Sequence, residues 1–541
     1  MNKTPKLIVA LLLVAVMLFG SVFTACQSNP APSASEAPAA SEAPAASEAP
    51  AASEAPAAEE DRTLVIATTA DIVTVDPQTR NSGVTTAILA NIYSKLIYQD
   101  DKGELQLDAA TEYSLDEADN KIWHFTMRDD MYFHNGDKVT AKDVAYSLMR
   151  VHNDEASAEY THFAPIVEVK VIDDTHLDIV TDNPLPTLPN LLAKSGAEIL
   201  PSDYIETNGI DNFLQNPVGS GPYKLVEYAK DDKVRLVPNE NYYKEVNEDW
   251  DEVIFRVIPE SSTRVGELLA GNVDLIENVI PAEWDRVNGN EGTSIVTGPS
   301  TRVYQLALKV DGDRPTADLR VRQAIDYAIN DQLIVDQVLQ GAGSVTLTRV
   351  PSGVTGHDSS LYGKYNYDPE KAKQLLAEAG YPDGFTLKIQ APTGRYLMDK
   401  EVSQVIVAML AEVGITAELE LMESSAYSNI FVAMSSEDAF MTCFGLGFFD
   451  AGYAMNGYTL GYTTGESNYA DEYYNELFAT AYSNMNLEER QEQFHELQQI
   501  IARDMPYIII AQIMNTYGVS DSIDFTARLD EQWNLQNIHS K

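Results

Sequence analysis

Short apolar runs framed by turn residues predict strands in the first half of the chain. Residues 64–68 form a continuous apolar run of strand length. Residues 253–258 and 273–276 are two further strand-like runs, and 262–270, closed by Gly271, has helical character. A strand, a helix and a strand in this order predict a βαβ-like unit.

Two alternating segments predict β-hairpins. The first joins residues 167–171 to 177–180, and the second joins 223–228 to 234–237. Each pair of runs is separated by two consecutive aspartates, which favour turns.

Helix signals are clearer in the second half. Asp368 followed by Pro369 predicts an N-cap and a first helical position, and Gly380 predicts the end of that helix. Apolar residues at i, i+3, i+4 and i+7 spacing over 399–413 predict another helix, which Gly414 ends.

The remaining signals complete a mixed pattern. Residues 385–389 predict a strand between those two helices, and 507–510 predict an apolar strand near the C-terminus. Asn486 and Glu489 predict a capping box that starts a helix running to Arg503. Strands and helices that alternate in this way indicate an α/β or α+β architecture.

Composition and net charge argue against some classes of function. The chain has 541 residues, a length that suggests two or three domains. Asp plus Glu number 82 against 37 Lys plus Arg, for a formal net charge of −45. Such an acidic chain argues against nucleic acid as a partner and against a polybasic membrane patch.

The N-terminus carries a targeting signal. Two lysines precede residues 7–20, which are almost wholly apolar but too short to span a bilayer comfortably. The small residues just before Cys26 resemble the lipobox of bacterial lipoproteins, in which the cysteine is lipidated and begins the mature chain. The resemblance implies a signal peptide over 1–25 and a lipid anchor on the extracytoplasmic face of the cell membrane. A plain secretory cleavage site is the alternative.

A low-complexity segment follows. Residues 35–58 are four copies of Ser-Glu-Ala-Pro-Ala-Ala, whose prolines block a continuous helix and whose composition cannot bury a core. We expect 26–61 to be a disordered tether. Lipidation of Cys26 would leave Cys443, the other cysteine, as a small buried hydrophobe.

Motifs that carry chemistry are missing from the sequence. It has no Gly-x-Ser-x-Gly, Ser-x-x-Lys, Walker, His-Glu-x-x-His or EF-hand pattern. The eight histidines show no metal-ligand spacing. We therefore expect a binding protein and not an enzyme, without a cofactor or metal.

Several segments occur in order along residues 62–541 and share one resemblance. They are 123–128 with 133–137 and 140–147, the Gly-x-Gly-Pro-Tyr of 219–223, the Gly-x-x-Asp of 271–274, the Val-Arg-x-Ala of 321–324 and 367–381. Together they resemble the peptide/nickel class of solute-binding proteins that serve ABC importers. The oligopeptide- and dipeptide-binding lipoproteins are type members of that class.

The resemblance implies an α/β, two-lobe Venus-flytrap fold of the periplasmic-binding-protein type, with an extra subdomain in the first lobe. The first lobe would comprise 62–300, completed by 516–541, and the second lobe would comprise 301–515. Hinge segments would lie near 298–303 and 515–519. Such lobes enclose a ligand when they close.

Peptide binders of this class hold the peptide as an extended strand, and an aspartate pairs with its amino terminus. The usual Gly-Trp-x-x-Asp pattern is altered here, since 444–453 lack the tryptophan. Asp450, the only acid in 439–465, is the candidate anchor, and a turn residue is the alternative. Phe448 and Phe449 are candidates for an aromatic wall, with core packing as the alternative.

Further candidate ligand contacts follow from the same resemblance. In the second lobe they are Tyr304 and Arg395, since an arginine suits a peptide carboxylate. Those of the first lobe, for which solvated loops are the alternative, are Asn81, Tyr160, Glu277 and Asn278.

The first functional interpretation is therefore a monomeric, lipid-anchored solute-binding protein that captures peptides and delivers them to an ABC permease. A metal chelate, a glycan or a small amine is the alternative solute. A receptor or adhesin that presents a bound ligand to another protein is the interpretation from a different class. An extracellular hydrolase has no motif in its favour.

Overall fold

The structure is a computed structural model that describes residues 62–79, 82–463 and 466–541. The predicted signal peptide and tether, and with them Cys26, lie outside the described residues, as does Asn81. The described residues belong to one compact unit. In the described ranges, no helix combines the length and the apolar character needed to cross a membrane.

Strands occur along the whole described chain. They are β1 (Thr63–Thr68), β2 (Ile97–Gln99), β3 (Leu105–Leu107), β4 (Ala110–Leu115), β5 (Ile122–Met127), β6 (Ile166–Val171), β7 (His176–Thr181), β8 (Tyr223–Ala229), β9 (Lys233–Pro238), β10 (Glu252–Val257), β11 (Leu275–Glu277), β12 (Thr293–Leu308), β13 (Gly343–Val345), β14 (Thr386–Thr393), β15 (Thr416–Glu423), β16 (Ala439–Phe444), β17 (Tyr507–Ser520), β18 (Ile523–Asp524) and β19 (His539–Ser540).

Helices alternate with these strands. They are α1 (Gly83–Leu89), α2 (Ala141–His152), α3 (Tyr160–Phe163), α4 (Leu188–Ala193), α5 (Ser202–Asn208), α6 (Ile210–Gln215), α7 (Ser261–Leu269), α8 (Trp284–Asn288), α9 (Leu319–Ala328), α10 (Asp331–Leu333), α11 (Pro369–Glu378), α12 (Asp399–Glu412), α13 (Ser424–Ala433), α14 (Ala451–Asn456), α15 (Leu460–Thr463), α16 (Glu472–Ser483) and α17 (Leu487–Asp504).

Two long strands, β12 and β17, lie at the centre of the main sheet, whose order is β15-β14-β16-β12-β17-β11-β1-β10-β9-β8. They pair antiparallel along nearly their whole length, with an irregular stretch between Pro299 and Val303. We call the side that contains β1 and β8–β11 the first lobe, and the side that contains β13–β16 the second lobe. Because β12 and β17 contribute to both, the lobes share one hydrogen-bonded sheet.

The predicted βαβ-like unit is confirmed in the first lobe. β10 and β11 both pair in parallel with β1, which lies between them, and α7 connects them. Gly271 follows α7 with a left-handed φ of +72°, a conformation that glycine adopts without strain. The second predicted hairpin, β8 with β9, is also confirmed at the edge of this lobe.

A separate antiparallel sheet of order β4-β5-β7-β6 belongs to the first lobe and contains the other predicted hairpin. Along β5, Trp123, Phe125 and Met127 are buried in alternation. They pack in a common core with the apolar face of α2. A capping box between Thr140 and Asp143 fixes the start of α2.

The second lobe follows the predicted caps. The Asp368 side chain accepts a hydrogen bond from the Lys371 N–H at 2.9 Å, so that α11 begins where the sequence predicts. The Asn486 side chain likewise accepts from the first turn of α17. Cys443 is a buried free thiol whose pKa burial raises, which confirms its predicted packing role.

The last part of the chain departs from the prediction. The apolar run predicts only 507–510 as a strand, whereas β17 continues to Ser520. Gln512 and Asn515 interrupt the apolar pattern, but backbone pairing with β12 carries the strand past them. The segment after β17 places Trp533 in the first-lobe core beside Phe255, at a ring-centroid distance of 5.6 Å.

Candidate ligand-binding cleft

The lobes touch along a seam built largely from aromatic rings. The ring of Tyr453 on α14 packs in a tilted arrangement against that of His162 on α3, with ring centroids 5.0 Å apart. The Phe449 ring packs against Gly103, where a Cβ atom would lie only 2.5 Å from Cδ2 of the phenylalanine. The structure therefore shows the two lobes in a closed arrangement.

Phe448 and Phe449 contribute to this seam from the loop between β16 and α14. Each is only 4% exposed. The Phe448 ring meets Tyr453 edge-on at a centroid distance of 5.0 Å. Phe449 joins a core cluster of the second lobe and reaches Gly103 of the first lobe. Phe449 thus combines core packing with a position beside the other lobe, whereas Phe448 packs on Tyr453 within its own lobe.

Asp450, the predicted ammonium anchor, is the N-cap of α14 and accepts from the Gly452 N–H at 2.7 Å. Arg490 on α17 donates to both of its carboxylate oxygens, at 2.8 and 2.6 Å. The two side chains are 3% and 4% exposed. The fold therefore compensates this carboxylate, and its role as a ligand anchor stays a prediction.

Glu277 and Asn278 lie together at the end of β11. The Glu277 carboxylate accepts from the Thr69 N–H at 2.7 Å and from the Thr69 hydroxyl at 2.8 Å. Burial raises the pKa of Glu277 despite these bonds and the nearby Arg264. Asn278 is exposed and has a left-handed φ of 53°.

Tyr160 is the half-buried first residue of α3 and lies one residue from a buried ion pair. Glu159 and Lys194 form that pair, and each side chain is 2% exposed. The aliphatic end of Lys194 reaches the second lobe, since a Cβ atom on Gly447 would lie 2.8 Å from Lys194 Cε. The first lobe thus brings a neutralised charge pair to the seam.

Tyr304 is completely buried, and its hydroxyl donates to the Leu397 carbonyl at 2.7 Å. It supports the loop that presents Arg395, which is exposed. Arg395 donates to the Tyr396 hydroxyl and to the Ser428 hydroxyl, both at 3.0 Å. Of these two predicted contacts, Arg395 is therefore exposed to solvent, whereas Tyr304 is part of the packed interior.

Two arginines were missed by sequence reasoning. Arg302 on β12 forms a two-pronged ion pair with Glu531, at 2.7 and 2.8 Å. Arg349 is 4% exposed and lies over the Phe444 ring, with Cζ 3.7 Å from the ring centroid. The available signal was a single charge in the stretch 345–350, which otherwise contains only valine, threonine and leucine.

The first lobe also contains a polar cavity of about 240 Å³. Tyr98, Lys244 and Trp533 line it together with Arg528, whose charge is paired with Asp530. No cluster of three or more potential metal ligands occurs in the described part of the chain.

Comparison with known proteins supplies the family context. The family model of the bacterial extracellular solute-binding proteins, family 5, matches residues 104–466, more than half of the chain. The Dipeptide-binding protein of Escherichia coli K12 is 28% identical over 393 residues, which cover 68% of this chain and 73% of that protein.

Solved structures share the fold. The periplasmic binding protein DppA from Helicobacter pylori, in complex with peptide STSA, has a TM-score of 0.76 at 23% identity, covering 88% of this chain and 98% of that one. The binding protein AgaA from A. tumefaciens R10, in complex with agropinic acid, has a TM-score of 0.77 at 23% identity, covering 88% and 99%. These similarities confirm the predicted two-lobe α/β fold.

Proposed function

Since this chain belongs to the bacterial extracellular solute-binding proteins of family 5, we propose that it captures a peptide between its lobes and delivers it to an ABC permease. The observation that carries the proposal is the closed seam. The lobes meet where the ring of Tyr453 contacts that of His162 and where the ring of Phe449 packs against Gly103. A solute held beside these contacts would be shielded from bulk water, which strengthens polar recognition.

The proposed ligand contacts come from both lobes. Phe448, Phe449 and Arg395 would serve from the second lobe, and Tyr160 and Asn278 from the first. Arg395 is exposed, as Asn278 is, and offers guanidinium N–H groups beside the rings of Tyr396 and Tyr427. Asn81, Glu277, Tyr304 and Asp450 complete the set that the family resemblance implies.

Native mass spectrometry of the full mature protein tests the proposal. The protein is purified from its producing cells and released ligands are fragmented. We expect ions that fragment as peptides. Bound ions that are not peptides would contradict peptide capture while leaving solute binding intact.

A non-peptide solute is the second candidate. Asp450 favours it, because both carboxylate oxygens already accept bonds from Arg490 and a free ammonium would have to displace them. A relative of similar fold was solved with agropinic acid. The same mass spectra distinguish this candidate from the first.

The protein is further proposed to act as a monomer held to the membrane by a lipid on Cys26, without catalytic activity. Replacing the lipidated cysteine should release the protein, because lipid burial supplies the anchoring free energy. We expect Cys26→Ser to move the protein from the membrane fraction into the medium. A Cys26→Ser protein that stays with the membrane would contradict lipidation at this residue.

A further inference from the structure

Arg349 lies in the second lobe shortly after β13, in a box of aromatic side chains. Its guanidinium carbon is 3.7 Å from the ring centroid of Phe444, 4.4 Å from that of Tyr458 and 5.8 Å from that of Tyr507. The electron-rich faces of aromatic rings attract a cation. They carry no net charge, so the guanidinium remains uncompensated by these neighbours.

Among the described residues, none forms a direct ion pair with Arg349. No carboxylate among them lies within 4.0 Å of the Arg349 guanidinium, and its Nε atom has no hydrogen-bond partner. The nearby acid is Glu466, which forms no direct ion pair with Arg349; burial raises the pKa of Glu466 and the charge of Arg349 lowers it. A buried charge without a direct ion-pair partner is costly. Binding of an external anion beside Arg349 would therefore be favourable.

A second unsatisfied group lies beside the guanidinium. Tyr458 is 1% exposed, and its hydroxyl has no hydrogen-bond partner. Gly457 leaves room for the arginine, since a Cβ atom there would lie 2.4 Å from Arg349 Nη2. A carboxylate has two oxygens and can accept from a guanidinium and a hydroxyl at once.

The aromatic box lies directly behind the seam. The Phe444 ring that covers Arg349 is also 6.0 Å from the ring of Tyr453. Tyr453 in turn contacts the ring of His162 of the first lobe. The charges that the first lobe brings to this place, Glu159 and Lys194, already neutralise each other.

We propose that Arg349 and Tyr458 bind a carboxylate of the ligand, so that this protein selects solutes by their acid end. The inference rests on the proposed solute-binding function and specifies the ligand class. It agrees with the state of Asp450, which Arg490 neutralises and which offers no free charge to an amine. Arg395 is less suited, because it is exposed and already bonded to two hydroxyls.

The test compares a mixture of tripeptides with the same mixture amidated at the C-terminus. Both are titrated against the full mature protein after unfolding and refolding have removed bound ligand. We expect the wild type to bind the acids roughly 100-fold more tightly than the amides, the range expected for a buried charge pair. Arg349→Met should bind both mixtures at the weak level of the amides.

Three controls keep the result interpretable. Arg286→Met removes an exposed charge on α8 and should behave as the wild type. Arg349→Lys keeps the charge without the planar fork and should recover part of the preference. The ligand-free Arg349→Met protein should melt no lower than the ligand-free wild type, because it loses a buried charge that has no direct ion-pair partner among the described residues.

The inference is overturned if Arg349→Met keeps the preference for acids, if Arg395→Met loses it instead, or if ligand-free Arg349→Met melts several degrees lower. If the wild type binds neither mixture, the proposal of peptide capture is contradicted. The carboxylate site is then tested with acetate. Acetate, but not acetamide, should then raise the melting temperature of the wild type and leave that of Arg349→Met unchanged. No acetate effect on the wild type would reject the carboxylate site.

Discussion

Arg490 and Arg349 are both buried in the second lobe, at 3% and 4% exposure, and both lie against aromatic rings. Arg490 donates to both oxygens of Asp450, at 2.8 and 2.6 Å. Arg349 has no acid within ion-pair distance among the described residues. The first charge is compensated by a direct ion pair when the lobe folds, and the second is not.

The two arginines illustrate two different roles of a buried charge. The pair of Arg490 and Asp450 connects α17 to the start of α14 and so determines the position of the loop at the seam. An uncompensated arginine contributes no such connection and weakens the lobe that contains it. The contrast predicts opposite responses to substitution in the two places.

The largest effect is expected from Arg490→Met. The change leaves the Asp450 carboxylate buried and unpaired, so the free energy of unfolding should fall by about 3–5 kcal/mol. Urea denaturation measures the loss. Arg490→Met combined with Asp450→Asn should be more stable than Arg490→Met alone, and a loss below about 1 kcal/mol would mean that the pair is not buried as described.

Asp450→Asn should cost slightly less, about 3 kcal/mol, because the amide can still accept from the Gly452 N–H. It also tests the predicted ammonium anchor. With Asp450 compensated by Arg490, calorimetry should give the same affinity ratio for a peptide and its N-acetylated form in both proteins. A wild-type preference for the free amine of roughly 100-fold that disappears in Asp450→Asn would instead support the anchor.

Closure of the seam is tested at Gly103. Gly103→Ala puts a methyl group into the Phe449 ring and strains a φ of +80°, so we expect about 1–2 kcal/mol less stability and at least tenfold weaker ligand binding. Gly136→Ala is the matched control, since Gly136 has a φ of +90° and nothing within 4 Å of the added methyl group. Equal affinity losses in both variants would show that strain, and not closure, is responsible.

The smallest effect concerns pH. Burial, followed by the nearby Lys194, lowers the pKa of His162 to about 4. If opening of the lobes restores the ordinary value near 6.5, the open state binds a proton that the closed state does not. Ligand affinity should then be complete well above pH 6.5 and fall roughly tenfold by about pH 5.5.

His162→Phe should flatten this profile while it keeps a ring against Tyr453. His134 provides the control, because its pKa is also lowered to about 4 by burial but its ring bonds the Gly221 carbonyl within the first lobe. His134→Gln should leave the pH dependence of affinity unchanged. An unaltered profile in His162→Phe would exclude this histidine as its source.

Local signals were sufficient for much of the fold. The caps at Asp368 and Asn486 and the two hairpins form as predicted, because short-range hydrogen bonds and apolar alternation determine them. The end of β17 was not predictable in this way. It depends on pairing with β12, which lies more than 200 residues earlier in the sequence.

For the same reason, the sequence could not predict which charged side chains of the site have a partner within the fold. Asp450 is compensated by an arginine 40 residues away on another helix, and Glu277 accepts from Thr69, 208 residues earlier. Spacing in the sequence carries no record of such contacts. Arg349 was detectable only as an isolated charge in an apolar stretch, which indicates neither its partner nor the lack of one.

The order of the chain in the first-lobe core has a consequence for folding. Leu64, near the start of the described chain, shares that core with Trp533 and Ile538, near its end. The Asn91 side chain also donates to the Trp533 carbonyl, 442 residues away. During synthesis or export this lobe is the first to emerge and the last to be complete. Its core therefore has to wait for almost the entire chain, and the intervening residues can assemble the second lobe beforehand.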